Sequence, residues 1–410
     1  MTPEEVANEV RAWLATAWDP ERPLVEWRRI LVDAGWAAPS LPLDRHGRGL
    51  PAWADDVVAD ELRNAGAVGT PIGVAMWLAA PTLLAHGDPD LLDRLLRPIL
   101  TGEASWCQLF SEPGAGSDLA GLSTSAVRDG DDWIVNGQKV WTTSAHHADM
   151  AMLLARTDWA VPKHKGLTYF ALPMHQAGIE VRPLRQMNGH ASFNEVFITD
   201  AHVPHANVVG AVGDGWHVAL TTLAHERRFG ALRDGRLSSM ATGRTVREAE
   251  AETAEHVKTY QWYPQRAGRP DLLVERGAGA GALQRDEVAR VLSLARVSQW
   301  TAARAQAARA LGRPPGPEGS LGKLAASHVA RASSRAHSSI AGATGMLAGT
   351  DAAGDAVVAE VLVSVPAQSI AGGTDEIQRN IIGEKVLGLP REPSTDRDTP
   401  FRDVPRNAGR

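Results

Sequence analysis

Three textures follow one another along the chain. Over residues 3–102, apolar positions return every three or four residues, as at Val6, Val10, Trp13 and Leu14 and again at Ala54, Val57, Val58 and Leu62. That period predicts amphipathic helices. Between residues 104 and 212 it shortens: runs such as 150–155, 167–172 and 195–198 are apolar, β-branched or aromatic and are separated by turn residues, which predicts the strands of a compact β-domain. From residue 213 helices return, with alanine-rich stretches at 286–311 and 319–346 that have high intrinsic helix propensity. No internal repeat is present. The expected division is an N-terminal helical domain (1–104), a middle β-domain (105–212), a C-terminal helical bundle (213–391) and a polar, proline-punctuated mobile tail (392–410). A chain of 410 residues exceeds the roughly 250–300 at which one core usually divides, so several sub-domains of an α+β fold are expected.

The stretch richest in candidate chemistry is 106–143. Its centre, Phe110-Ser-Glu-Pro-Gly-Ala-Gly-Ser-Asp-Leu-Ala-Gly121, can continue neither a helix nor a strand, so its backbone must turn tightly and expose its amides. Beside Ser111 and Ser117, such amides cradle an anion or a polar ring edge. Further on, Asn136-Gly137 lies between the runs Trp133-Ile-Val135 and Val140-Trp-Thr-Thr143 and predicts a hairpin. Trp141 and Thr143 would then offer an aromatic wall and a hydroxyl donor to a planar, electron-poor ring.

Charge and composition narrow the function. A net charge of −6 with scattered Lys and Arg argues against a nucleic-acid partner. The single Cys107 excludes an internal disulfide, fits a reducing cytoplasm and reads as a small buried thiol on a strand. The acidic N-terminus shows no signal peptide, so a cytoplasmic location is expected. The most apolar stretch, 72–85, is too short and interrupted to span a bilayer and reads as a buried helix pair. None of the 14 histidines has companion ligands at a metal-binding spacing.

On these motifs the chain resembles the acyl-CoA dehydrogenase family, whose flavin loop has the form Thr/Ser-Glu-Pro-x-x-Gly-Ser-Asp and whose following strand carries Trp-x-Thr. Ser111-Glu-Pro-Gly-Ala-Gly-Ser-Asp118 and Trp141-Thr-Thr143 match both, and Gly372-Gly-Thr-Asp-Glu-Ile-Gln-Arg-Asn380 matches a third block near the C-terminus. The resemblance covers roughly residues 20–391. It implies an N-terminal helical domain, a middle β-barrel-like domain and a C-terminal four-helix bundle, with FAD between the last two. It further implies FAD contacts at Gln108, Phe110, Ser111, Gly116, Ser117, Trp141, Thr143, Thr374 and Glu376. An acyl-CoA substrate, an electron-transfer flavoprotein as electron acceptor, and a homodimer or homotetramer, or a heterotetramer, follow from the same resemblance. Two family elements are altered. No Arg-x-x-Phe-Gly is found between residues 230 and 310, and a glycine-doublet element is degraded to Ser339-Ile-Ala-Gly-Ala-Thr-Gly345. Residues 230–284 also exceed the family's needs, which makes them extra bundle surface, a pocket or a subunit contact.

Removing an α proton from a thioester while a hydride leaves the β carbon requires a carboxylate against the α carbon and hydrogen bonds to the carbonyl. Many family members place that carboxylate directly before the Gly-Thr of the third block, where this chain has Gly372. The family's other location is a Glu-Arg pair on the first long helix after the β-domain, matched here by Glu226-Arg227. If 216–230 is helical, Ala219, Leu223, Glu226 and Gly230 share a face, and partial desolvation raises the carboxyl pKa. Glu226 is therefore the expected base, with Arg227 and Ser117 toward the substrate; a surface Glu paired with a neighbouring Arg is the plainer alternative. The expected activity is FAD-dependent dehydrogenation of a branched or bulky acyl-CoA to the trans-2-enoyl thioester. A flavin monooxygenase of the same fold and one subunit of a heteromeric dehydrogenase are the alternatives.

Overall fold

The computed structural model describes residues 1–226, 242–310, 316–347, 352, 356–394 and 396–405. The chain forms two compact units: one of Met1–Leu184, Ser192–Thr259 and Thr395–Arg410, the other of Arg185–Ala191 and Tyr260–Ser394.

In the first unit, α1 (Pro3–Ala17) opens on a capping box in which the Thr2 hydroxyl accepts from the Glu5 amide and the Glu5 carboxylate from the Thr2 amide. Its buried Val6, Val10 and Leu14 pack with Trp27 of α2 (Leu24–Asp33) and with Ala54, Val58 and Leu62 of α3 (Trp53–Asn64). The predicted period is thus the one that is buried. The stretch 72–85 holds one helical run, from Val74 onward, and not a pair: a π-turn at Ala75–Ala79 passes directly into α4 (Ala80–His86). Pro81 lacks the N–H that would bond to the Trp77 carbonyl, and the wider turn before it is a usual accommodation of that loss. Next comes α5 (Pro89–Thr101), capped by the Asp88 side chain.

Eight strands follow: β1 (Trp106–Leu109), β2 (Ser125–Asp129), β3 (Asp132–Thr143), β4 (Met150–Arg156), β5 (Leu167–Pro173), β6 (Ile179–Leu184), β7 (Phe193–Pro204) and β8 (Val208–Val209). They run in the order β6-β7-β3-β2-β4-β5-β8, and β1 pairs in parallel with β4. On β4 and β5 both faces are covered. Met152, Leu154, Leu167 and Tyr169 face the core shared with α4 and α5, while Ala151, Leu153, Phe170 and Leu172 face a second core with Val135 and Ile198. Burial on both sides explains their unbroken apolar runs. Cys107 is buried in that second core, and burial pushes its thiol far above the ordinary range.

The expected hairpin at Asn136-Gly137 is not a turn. β3 passes straight through it, and the two-residue loop is Gly130-Asp131, between the paired Asp129 and Asp132. Gly137 serves a different need: a Cβ there would lie 2.3 Å from Thr124 Oγ1 on the neighbouring segment. The pairing of β3 with β7 is interrupted twice, between Val135 and Gly137 and between Lys139 and Thr142. The first irregularity carries an extra residue on β7, beside Asp200 at φ 49°, and the second an extra residue on β3, at Trp141 with φ 63°.

Helices after the strands do not all join the second unit. In α6 (Gly215–Glu226), Val218 and Ala219 are buried against the same core as Tyr169, and in α7 (Arg244–Lys258), Val246 and Ala249 are buried with Trp27. Arg28 reaches Glu252 at 2.7 Å, and the Glu248 carboxylate accepts from the Leu24 amide at 2.8 Å. The stretch read as surplus bundle thus begins, in its described part, as a cover for the N-terminal helices. Residues 396–405, expected to be mobile, also belong to this unit: Phe401 is buried, and its amide donates to the Val161 carbonyl at 2.9 Å.

The second unit is helical: α8 (Tyr263–Arg266), α9 (Leu273–Gly277), α10 (Ala282–Ala310), α11 (Glu318–Ala341), α12 (Ala356–Ser364), α13 (Pro366–Ile370) and α14 (Asp375–Lys385). The long α10 and α11 lie side by side, and Leu273, Val288, Val291, Val329 and Ala336 form their small core.

Candidate functional site

Loop 111–122 is shaped by one carboxylate. The Glu112 and Ala115 main chains bond to each other in both directions at 3.0 and 3.1 Å, closing a tight turn over Pro113-Gly114. The Glu112 carboxylate then accepts from the amides of Ser123 and Thr124 at 2.7 and 2.8 Å, folding the loop back on itself. Its third partner is Lys139 on β3, wholly buried, whose Nζ donates to Glu112 Oε1 at 3.0 Å and to the carbonyls of Phe110 and Leu154 at 2.9 Å each. All three ammonium protons therefore have acceptors. Burial pushes the Glu112 carboxyl up, but Lys139 and the two amides outweigh it and hold the group below its ordinary value of 4.5.

Gly114 and Gly116 have ordinary negative φ, and a Cβ on either would meet nothing within 4 Å. The chain's own packing thus gives no reason for a missing side chain there, and close approach of a ligand to the backbone does. Ser117 is exposed beside them. On β3 the bulge throws Trp141 outward, so that its indole is 56% exposed with Phe193 edge-on at 5.9 Å. A bulky residue held at positive φ is costly and marks a position kept for a purpose. Thr143 is half-buried at the end of the same strand. These residues fit a flat cofactor with a polar edge.

Phe110 turns its ring into the core, edge-on to Tyr169 at 5.8 Å, and the Ser111 carbonyl accepts from the Val140 amide at 2.9 Å. These two positions join the loop to β3 and to the sheet. Gln108, two residues before Phe110 and on β1, sends its Nε2 to Glu226 Oε2 at 3.3 Å. Glu226 is the last described residue of α6 and is half-buried, one turn beyond Thr222, whose hydroxyl lies 2.9 Å from that of Thr82 and 3.0 Å from that of Tyr169. The structure therefore brings the expected base onto the strand that leads into the loop. Arg227 and Gly230 lie outside the described residues.

Thr374 and Glu376 lie in the second unit. The Thr374 hydroxyl caps α14 by accepting from the Ile377 amide, and Glu376 is exposed with Arg379 at 3.3 Å. Asp375 between them is buried, with Lys323 and Arg331 each at 3.2 Å, and Gln378 donates to the Gly372 carbonyl at 3.0 Å. Gly372 has φ 68°, a left-handed conformation that favours glycine. Two surface hollows are lined by Val32, Asp33, His46 and Arg48, and by Pro270, Ala295, Val329 and Gln368; neither includes a candidate residue. Among the described residues no cluster of His, Cys, Asp and Glu is arranged to hold a metal ion.

Fold and loop together make an α+β protein with an open glycine loop beside an exposed tryptophan. Models of the acyl-CoA dehydrogenase N-terminal, middle and C-terminal domains match residues 1–103, 107–201 and 271–387. The chain is 38% identical over 361 residues to acyl-CoA dehydrogenase FadE34 of Mycobacterium tuberculosis, covering 88% of this chain and 46% of that relative, so it spans about half of that protein's length. It is 34% identical over 412 residues to acyl-CoA dehydrogenase IpdE1 of the same organism, covering 95% of this chain and 98% of the relative. A chain in the crystal structure of the ChsE4-ChsE5 complex from Mycobacterium tuberculosis superposes with a TM-score of 0.62 at 28% identity, covering 95% of this chain and 98% of that one. The chain belongs to the acyl-CoA dehydrogenase family, whose members are flavoproteins.

Proposed function

We infer that this chain removes the α and β hydrogens of an acyl-CoA thioester, with Glu226 as the base. The observation that carries this reading is the Glu226 carboxylate, half-buried at the end of α6 and hydrogen-bonded to Gln108 on the strand that enters the glycine loop. FAD would lie on the open amides of 111–117 beside the Trp141 indole and the Thr143 hydroxyl. Bound there, it supplies an acceptor for the hydride leaving the β carbon. The chain's own part is to hold the thioester still, take the α proton on a Glu226 carboxylate oxygen and exclude water from the carbanion-like centre. Ser117 and Arg227 would face the thioester and the CoA portion. The product is the trans-2-enoyl thioester, and the electrons pass to an electron-transfer flavoprotein.

A base on this helix and glycine at position 372 support a branched or bulky acyl group. The test is anaerobic titration with linear, branched and ring-bearing acyl-CoAs while the oxidised-flavin absorbance is followed. Bleaching by one class identifies it; bleaching by none removes the reading. Likeness to a chain of the ChsE4-ChsE5 complex supports a second arrangement, in which this chain is the active subunit of a heteromer. A single species by light scattering that turns over without any other chain would exclude that arrangement.

Gln108 has a measurable part in this site. The Gln108 amide donates to the Glu226 carboxylate, so replacing Gln108 by Leu removes one hold on the orientation of the base. A hydrogen bond of this kind contributes about 0.5–1.5 kcal/mol, so reduction by acyl-CoA slows by about two- to tenfold while the oxidised-flavin band is unchanged. A rate equal to that of the parent would show that Gln108 does not position the base.

A further inference from the structure

We propose that residues 396–405 form a strap that holds loop 111–122 in its cofactor-binding shape through Arg156 and Lys163. Arg156, at the end of β4, is wholly buried. Its Nε donates to the Leu122 carbonyl at 3.2 Å, one terminal nitrogen to the Ala120 carbonyl at 2.6 Å, and the other to the Lys163 carbonyl at 3.1 Å. The polar edge of the guanidinium thus fixes the closing end of the glycine loop. Its flat face carries the strap: the Phe401 ring centre lies 3.5 Å from the guanidinium carbon.

Lys163 repeats the arrangement with charge. Its Nζ is 3.0 Å from Asp118 in the loop and 3.0 Å from Asp396 in the strap. Both carboxylates raise its pKa despite its partial burial, so it stays cationic between them. Main-chain bonds seat the strap on the β4–β5 connection, from the Phe401 amide to Val161 and from the Arg402 amide to the Trp159 carbonyl at 3.0 Å. Asp118 directly follows Ser117, and Ala120 and Leu122 end the same loop, so the contacts at this end of the loop depend on side chains that the strap covers. A guanidinium face left open to water, or an ammonium with only one carboxylate, holds those carbonyls and that carboxylate less firmly.

The role of the strap toward the cofactor rests on the reading that the loop receives FAD, and two readouts separate the claims. The full-length protein, Phe401→Ala, Lys163→Met and a chain ending at Ser394 are compared by amide hydrogen exchange and by the rate of FAD release, followed as recovery of free-flavin fluorescence. The strap predicts faster exchange at 111–122 with exchange in α10 unchanged, and FAD release faster by about tenfold, the change that 1.4 kcal/mol of lost fixation would give. If the shortened chain fails to fold, the two point variants decide. Exchange and release within about twofold of the parent in both point variants would overturn the strap. A parent that holds no flavin, with loop exchange still raised in the variants, would keep the strap and remove the cofactor reading.

Discussion

Glu226→Gln retains bound FAD, with an unchanged oxidised absorption band, and reduces it by acyl-CoA about 100- to 10,000-fold more slowly, the usual loss when a positioned base is removed. The carboxamide matches the carboxylate in size and keeps an oxygen for the Gln108 Nε2, so binding and fold stay close to those of the parent. The proton has nowhere to go, and the thioester therefore binds without bleaching the flavin. Stopped-flow reduction under anaerobic conditions measures this directly. Reduction at the parental rate would place the base elsewhere, and loss of flavin from the variant would make Glu226 a structural residue.

Lys139→Met should cost about 3–5 kcal/mol of stability, because it leaves the Glu112 carboxylate buried without its cation. Thermal or urea unfolding reads this loss, and the Lys139→Met, Glu112→Gln double variant should regain part of it, since a neutral amide removes the buried charge and can keep its oxygen on one of the Ser123 and Thr124 amides. The same pair sets a pH dependence. Glu112 titrates below its ordinary 4.5 in the folded protein, so its stabilisation is complete above that pH and is lost as pH falls through the lower folded value. The parent should therefore lose stability below about pH 4.5 more steeply than the double variant. Equal slopes would mean that the ion pair adds nothing to the fold.

Much of the architecture is written in local patterns. Val6, Val10 and Leu14 are buried as their helical spacing requires, and the apolar runs on β4 and β5 lie in the sheet. The glycine loop and Trp141 also stand out, because turn residues and an aromatic in a polar strand are unusual by themselves. What stayed hidden depends on distant partners. Asn136-Gly137 has the composition of a turn, yet Gly137 is required by Thr124 across the sheet. Lys139 looks like a solvated residue until Phe110, Glu112 and Leu154 close around it. The final residues read as a loose tail because a single Phe401 carries no periodicity, and its site is made by Arg156. Nor does any local signal assign α7 to the N-terminal helices; Glu248 and Glu252 find Leu24 and Arg28 only after folding.

The two interruptions between β3 and β7 have opposite sign. Val135 opposes Ala201 before the first, Gly137 opposes Ile198 between them, and Thr142 opposes Asn194 after the second, so the one-residue slip introduced at Asp200 is undone at Trp141. The extra residue on β7 absorbs a change of phase: Val196 and Ile198 before it and Ala201 and Val203 after it are all buried, so a strand without it would keep both sets facing the core. Each irregularity is thus a joint where the sheet can gain or lose one residue without turning a buried face outward, whereas a deletion elsewhere in either strand would exchange buried for exposed positions.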